Sequence, residues 1–190
     1  MKELPEWMSR FINQLVQLKQ KDDRASLARL KRGLGKEPGE APEALAVVLR
    51  CLHLGDNEGR VQKEDVAFLV ATLYATHPEH NGQSGNLGDS FRILEVSDSI
   101  EKRFTWLLAA SDNTALRYRL RQTISLLASK DIAINYTRLL YDLSYWTHDE
   151  RFVQRAWARS YWGKVVSLNE PGGELESELE PINEEGEENE

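Results

Sequence analysis

Apolar residues recur at intervals of three and four along nearly the whole chain, and nowhere do they alternate over the length of a strand. That pattern confines the chain to helices. Trp7, Met8, Phe11, Ile12, Leu15 and Val16 trace the first apolar face, and Pro5 suits its first turn. Asp22 or Asp23 can cap a second helix, which Gly33 stops. Pro42 opens a third, with Leu45, Val48, Leu49 and Leu52 inward. A fourth runs from about Lys63 to Thr76, with Val66, Leu69, Val70 and Leu73 inward, and ends before Pro78. The polar stretch from His77 to Gly88 has the composition of an irregular loop. A short helical turn near Phe91 follows, then helices near 99–110, 113–128, 135–145 and 149–161, with Ser99, Asn113, Asn135 and Asp149 as their caps. The expected fold is all-α. It divides into an N-terminal helical unit over 1–93, a C-terminal helix bundle over 94–168, and a disordered acidic tail over 169–190.

Charge is distributed unevenly over these parts. The formal net charge is -7, but residues 169–190 hold ten Glu and no Lys or Arg, so residues 1–168 carry +3. Within that remainder, the stretch Asp23–Lys36 gathers Arg24, Arg29, Lys31, Arg32 and Lys36 and no further acid. With about 100° per residue, Leu27, Leu30 and Leu34 mark the buried face of this second helix. Arg29 and Arg32 then lie opposite, flanked by Arg24 and Lys31. The same construction puts Arg117 and Arg121 beside the stripe Leu116, Leu120, Ile124 and Leu127, with Arg119 on the other flank. Ile100, Phe104, Leu107 and Leu108 point inward, which turns Lys102 outward and leaves Arg103 at the edge. Arg151, Arg155 and Arg159 form a further stripe. Any one of these is readily a solvated surface charge. Taken together, and rich in Arg, they suit a polyanion held by its phosphates. No zinc-finger spacing, basic zipper or RNA-recognition signature occurs, so the expected mode is backbone binding.

Catalytic readings find little support. His77 and His80 have metal-like spacing but no accompanying ligand pair, and read as polar loop residues. His148-Asp149 resembles a phosphohydrolase dipeptide, yet no Asp follows Asp149. Gly33-Leu34-Gly35-Lys36 is too short for a phosphate-binding loop, and Asp22-Asp23 are adjacent and exposed rather than a metal-binding pair. No enzyme activity, metal or cofactor is expected. Tyr145, Trp146, Trp157, Tyr161 and Trp162 could stack on bases, though their spacing favours the core. Trp106 falls off its helix's apolar face and could meet another subunit. Cys51 reads as a small core residue. With no apolar run of membrane length and no signal peptide, the expected location is the cytoplasm.

Several motifs occur in a particular order: Asp23-Arg24-Ala-Ser-Leu-Ala-Arg-Leu-Lys-Arg32, Val70-Ala-Thr-Leu-Tyr-Ala-Thr-His77-Pro78 and Asn86-Leu87-Gly88. Glu101-Lys102-Arg103-Phe104 with Leu107-Leu108, Leu120-Arg121, Leu140-Tyr-Asp-Leu143, Trp157-Ala158 and Tyr161-Trp162 follow. Over about residues 7–163 this set resembles the small subunit of the type I-E CRISPR Cascade complex, the CasB family. The resemblance implies a non-catalytic helical protein, two copies of which pack head to tail along Cascade beside its large and backbone subunits. There they line the guide RNA–target DNA hybrid and help hold the displaced strand. It also implies Arg24, Arg29, Lys31, Arg32, Lys102, Arg103 and Arg121 as nucleic-acid contacts; helix geometry adds Arg117. Two features depart from the family pattern: the 77–88 loop lacks basic residues other than its histidines, and the acidic tail has no counterpart. The competing reading is a helical adaptor whose basic faces dock acidic subunits.

Overall fold

A computed structural model describes residues 4–52, 59–83 and 85–163. Among these the chain forms α1 (Glu6–Gln20), α2 (Arg24–Arg32), α3 (Pro42–Cys51), α4 (Arg60–Thr76), α5 (Leu87–Arg92), α6 (Asp98–Leu108), α7 (Asn113–Ala128), α8 (Tyr136–Ser144) and α9 (Phe152–Trp162). A 3-10 turn, Pro38–Glu40, joins α2 to α3. The described residues contain no strand, so the all-α expectation holds. The expectation for 169–190 lies outside the described residues.

The fold is organised around α4. Ala67, Phe68, Leu69, Val70, Ala71, Thr72, Leu73 and Tyr74 are buried without a break, so this part of the helix has no water-facing side. The helices α2, α3, α7 and α8 cover it, while α1 packs on α8 and on the α2–α3 pair. The buried apolar side chains join into one core that runs across the 93/94 division. Thr72 turns its hydroxyl back to Leu69 O at 2.8 Å, which satisfies it inside the helix. Cys51 is buried, and desolvation raises its thiol pKa.

Several helix ends differ from expectation. Ser97, not Ser99, caps α6, accepting from Ile100 N–H from an extended backbone. Asp112, not Asn113, caps α7, accepting from Ala115 N–H at 2.8 Å. Asp149 caps nothing: α9 begins after Arg151, whose left-handed φ of 49° sets the turn without a side-chain bond. In each case the cap is the residue whose backbone leaves the helix, a property that composition alone does not reveal. Asn135 and Asp23 cap as expected, accepting from Arg138 N–H and Ser26 N–H, each at 2.9 Å.

The connection after α4 is bolted down rather than loose. His77 is buried, and its Nε2–H donates to Ile132 O at 2.8 Å. Tyr136 donates its hydroxyl to His77 O at 2.7 Å and its backbone N–H to His80 Nδ1 at 3.2 Å. An isolated parallel bridge joins His80 to Ile134. The two histidines are therefore structural pins between α4 and α8, not polar loop residues. Beyond them, Asn86 caps α5 through Gly88 N–H while its Nδ2 donates to Ser160 Oγ on α9 at 2.9 Å. Gly88 is needed there: a Cβ would stand 2.2 Å from Trp157 O, inside van der Waals contact.

A buried carboxylate closes the other side of α9. Asp142 is fully buried and accepts from Trp157 Nε1 at 2.6 Å and Arg138 Nε at 2.8 Å. Burial raises its pKa, and these two partners oppose that rise.

Two outcomes follow. Gly88→Ala should destabilise the fold by roughly 1–3 kcal/mol through overpacking of α5 on α9, seen as a lowered melting temperature. Burial lowers the His80 pKa below its ordinary 6.5. As the pH falls through that value, the unfolded chain takes up a proton that the fold resists, so stability should decline. Melting curves between about pH 7.5 and about pH 5.5 should show a smaller decline for His80→Gln, which keeps an acceptor but cannot titrate. Equal declines would discount this histidine.

Candidate nucleic-acid interface

The basic residues of α2 are presented as its apolar stripe dictates. Ser26, Leu30 and Gly33 are buried against the core, and Arg24, Arg29, Lys31 and Arg32 are exposed. Gly33 sits where α2 meets α3 and α4: a Cβ there would be 2.8 Å from Ala44 Cβ and 3.1 Å from Phe68 Cζ. This close approach sets α2 down flat, so its outer face stands clear. Asp23 holds the start of the helix. Its pKa is lowered chiefly by the bond from Ser26 N–H.

Two grooves carry the positive charge. The first lies between α2 and α3, where Arg29, Arg32 and Lys36 line one side and Glu40 and Glu43 the other. The second lies between α6 and α7 and is lined by Arg103, Arg121, Ser99, Gln122 and Ser125. The α2–α3 loop joins them: a Cβ on Gly35 would be 3.7 Å from Arg121 Nη1. Arg29, Arg32, Lys36, Arg121 and Arg103 together make up a basic track drawn from three helices and a loop, with Arg121 reaching the loop at Gly35.

The eight expected contact residues divide by environment. Arg29, Lys31, Lys102, Arg103 and Arg121 make no ion pair among the described residues. Arg24 pairs with Asp22 and Arg32 with Glu43, each at 2.9 Å, but both pairs are largely exposed and so readily exchanged for another anion. Arg117 is different. Its side chain is only 13% exposed, bonded to Glu37 at 2.9 Å and to Lys36 O at 3.1 Å. It clamps the α2–α3 loop onto α7. Arg24, Lys31 and Lys102 are exposed on their helices but line neither groove. Lys36, absent from the eight, lies in the track; helix geometry could not place it, because it follows the stop at Gly33. Gln122 and Ser125 carry no charge to mark them.

The aromatic residues separate cleanly. Trp146 and Trp157 are buried, their ring centroids 5.0 Å apart, and Trp146 Nε1 donates to Ala110 O at 3.0 Å. Trp106 and Tyr118 are exposed, with the Arg119 guanidinium 5.1 Å and 5.8 Å from their ring centroids. Trp162 is 47% exposed; its Nε1 donates to Glu101 Oε1 at 2.9 Å. Arg155 and Arg159 on α9 and Arg151 just before it are exposed, and Arg151 donates to Leu108 O at 2.6 Å. Among the described residues, no three His, Cys, Asp or Glu side chains converge as metal ligands, and no helix is long and apolar enough to cross a membrane.

Comparison with known proteins bears on the whole of this surface. Residues 26–162 match the family model of CRISPR-associated protein Cse2. A CRISPR-associated protein Cse2 from Thermus thermophilus is 36% identical over 170 residues, covering 88% of this chain and 97% of its own. The crystal structure of CasB from Thermus thermophilus superposes with a TM-score of 0.71 at 36% identity, over 83% of this chain and 98% of that one. A chain of a CRISPR RNA-guided surveillance complex superposes with a TM-score of 0.66 at 25% identity, over 82% of this chain and 91% of that one. Motif order, helical architecture and these matches agree, and the chain belongs to the Cse2 (CasB) family of CRISPR-associated proteins.

Proposed function

We propose that the chain is the small subunit of a CRISPR RNA-guided surveillance complex, a Cascade, and that it works without covalent chemistry. In this reading its basic track grips the backbone of the guide RNA–target DNA hybrid and steadies the displaced strand. A second copy and the large and backbone subunits are its neighbours. The observation that carries the reading is the approach of Arg121 to the loop at Gly35, which brings together two basic grooves built from residues distant in sequence. Base pairing supplies sequence choice in such a system, and protein supplies shape and positive potential. The track has no sequence-reading element, as that division of labour requires.

One observation favours a second reading, an adaptor that docks acidic protein. Trp106 and Tyr118 stand exposed around Arg119, beside the Arg103 end of the track. Crosslinking within the assembled complex separates the two, because the adaptor reading places only protein against α2.

Replacing Arg29, Lys31 and Arg32 together by Ala should weaken R-loop stability while leaving the melting temperature nearly unchanged. If all three neutralise phosphates, the slope of log affinity against log salt should fall by about 2–3 units. A triple variant that melts normally and supports a wild-type R-loop would remove the proposal. Arg117→Ala should behave in the opposite way. Losing the clamp should cost roughly 1–2 kcal/mol of stability, with a salt slope close to that of the parent. A reduced slope with unchanged melting would instead make Arg117 a direct contact.

A further inference from the structure

The exposed aromatic pair on α6 and α7 is a feature that a grip on phosphates alone does not use. We propose that Trp106, Tyr118 and Arg119 form a stacking platform for unpaired bases of a single strand whose phosphates lie in the adjoining second groove. The proposal rests on the nucleic-acid reading given under Proposed function and goes beyond it, because it adds contact with base faces to contact with the backbone.

Two helices gather the three side chains. The Arg119 guanidinium lies 5.1 Å from the Trp106 ring centroid and 5.8 Å from that of Tyr118, within cation–π range of both. Arg119 makes no ion pair among the described residues, so no carboxylate neutralises it there. Gln122 Nε2 donates to the Tyr118 hydroxyl at 2.9 Å and fixes the outer edge of that ring. Trp106 and Tyr118 nonetheless remain 53% and 56% exposed. The crevice beneath them, lined by the buried Phe91 and Thr123, has room for only about 10 Å³, no more than about one water. A planar ligand therefore lies on the rings and does not enter between the helices.

Position and charge select the occupant. Arg103, Gln122 and Leu126 line both this crevice and the second groove, so the platform and the basic surface adjoin. Arg103 stands one helical turn before Trp106 on α6, about 4.5 Å along the axis. A nucleotide with its phosphate at Arg103 thus brings its base to Trp106. A duplex does not, because its bases are already stacked on one another; an unpaired strand does. An acidic protein face fits less well. Its carboxylates would find Arg119, but they would also meet the negative faces of two rings. A base presents a flat π-surface to both rings and to the guanidinium. Every base does so, which keeps the site indifferent to sequence.

The test compares the affinity of the full chain for a strand of about 12 thymidine nucleotides and for an abasic strand of equal length, at about 50 mM salt. The parent should bind the thymidine strand more tightly. Trp106→Ala should weaken that strand by about 5–100-fold and leave the abasic strand within about twofold, with melting temperature and salt slope nearly unchanged. Trp106→Phe, which keeps a ring, should recover part of the loss. It should also remove most of the quenching of tryptophan emission that the thymidine strand causes. Arg103→Ala should weaken both strands alike and lower the salt slope by about one unit. If Trp106→Ala weakens both strands equally, or neither, the stacking is overturned and the backbone grip stands. A parent that binds neither strand would overturn the stacking too, and the triple variant of Arg29, Lys31 and Arg32 then judges the backbone reading separately. Should Trp106→Ala lose binding of a polyglutamate peptide while keeping the thymidine strand, the stacking is overturned and the rings belong to the adaptor reading.

Discussion

A helix with no wet side is the constraint from which the rest of this molecule follows. Eight consecutive residues of α4 are buried, so helices must cover it from every direction. Those covers include α2 and α7, the two helices that bring Arg29, Arg32 and Arg121 to the track. The spacing of the basic groups is thus set by the thickness of an apolar core and not by any contact among the groups themselves. Like charges would otherwise drift apart. Here hydrophobic burial holds them at fixed separation at a cost the core easily offsets.

The track is also moderated. Glu40 and Glu43 share the first groove with Arg29, Arg32 and Lys36, and Glu37 neutralises Arg117 beneath the loop. An exposed pair such as Arg32–Glu43 contributes little to stability, so its cation is readily exchanged for another anion. A half-buried pair such as Arg117–Glu37 is not. The same residue type, one helical turn from Arg121, therefore serves as scaffold, while Arg121 itself faces the second groove.

The sequence was most legible where local periodicity decides the outcome. Leu30, Phe104, Leu107, Leu120 and Ile124 are all buried as their spacing implies, and the exposed faces of α2 and α6 follow from them. The family was legible too, through motifs whose order is more specific than any single one. What escaped depends on distant partners. Val66, Leu69, Val70 and Leu73 suggest one apolar face for α4, and only the surrounding helices explain why Phe68 and Tyr74 are buried as well. His77 looks like a loop residue until Ile132 and Tyr136 stand beside it. Arg117 cannot be told from Arg121 by helix geometry, because Glu37 and Lys36 lie some eighty residues away. The caps at Ser97 and Asp112 were missed by one or two positions for a smaller reason. Neighbouring polar residues compete for each end, and backbone geometry chooses between them.

The dry helix also has a history during synthesis. Its covers α2 and α3 precede it in the chain, but α7 and α8 follow, and α8 ends at Ser144, about seventy residues after Tyr74. With chain growth of about 5–20 residues per second, that interval is roughly 4–14 s. Throughout it, Phe68, Val70 and their neighbours have only half of their final surroundings. A nascent chain in that state presents an apolar surface that the finished protein never shows. The first half of this protein thus depends on prompt delivery of the second, or on a chaperone that occupies the same surface in the meantime.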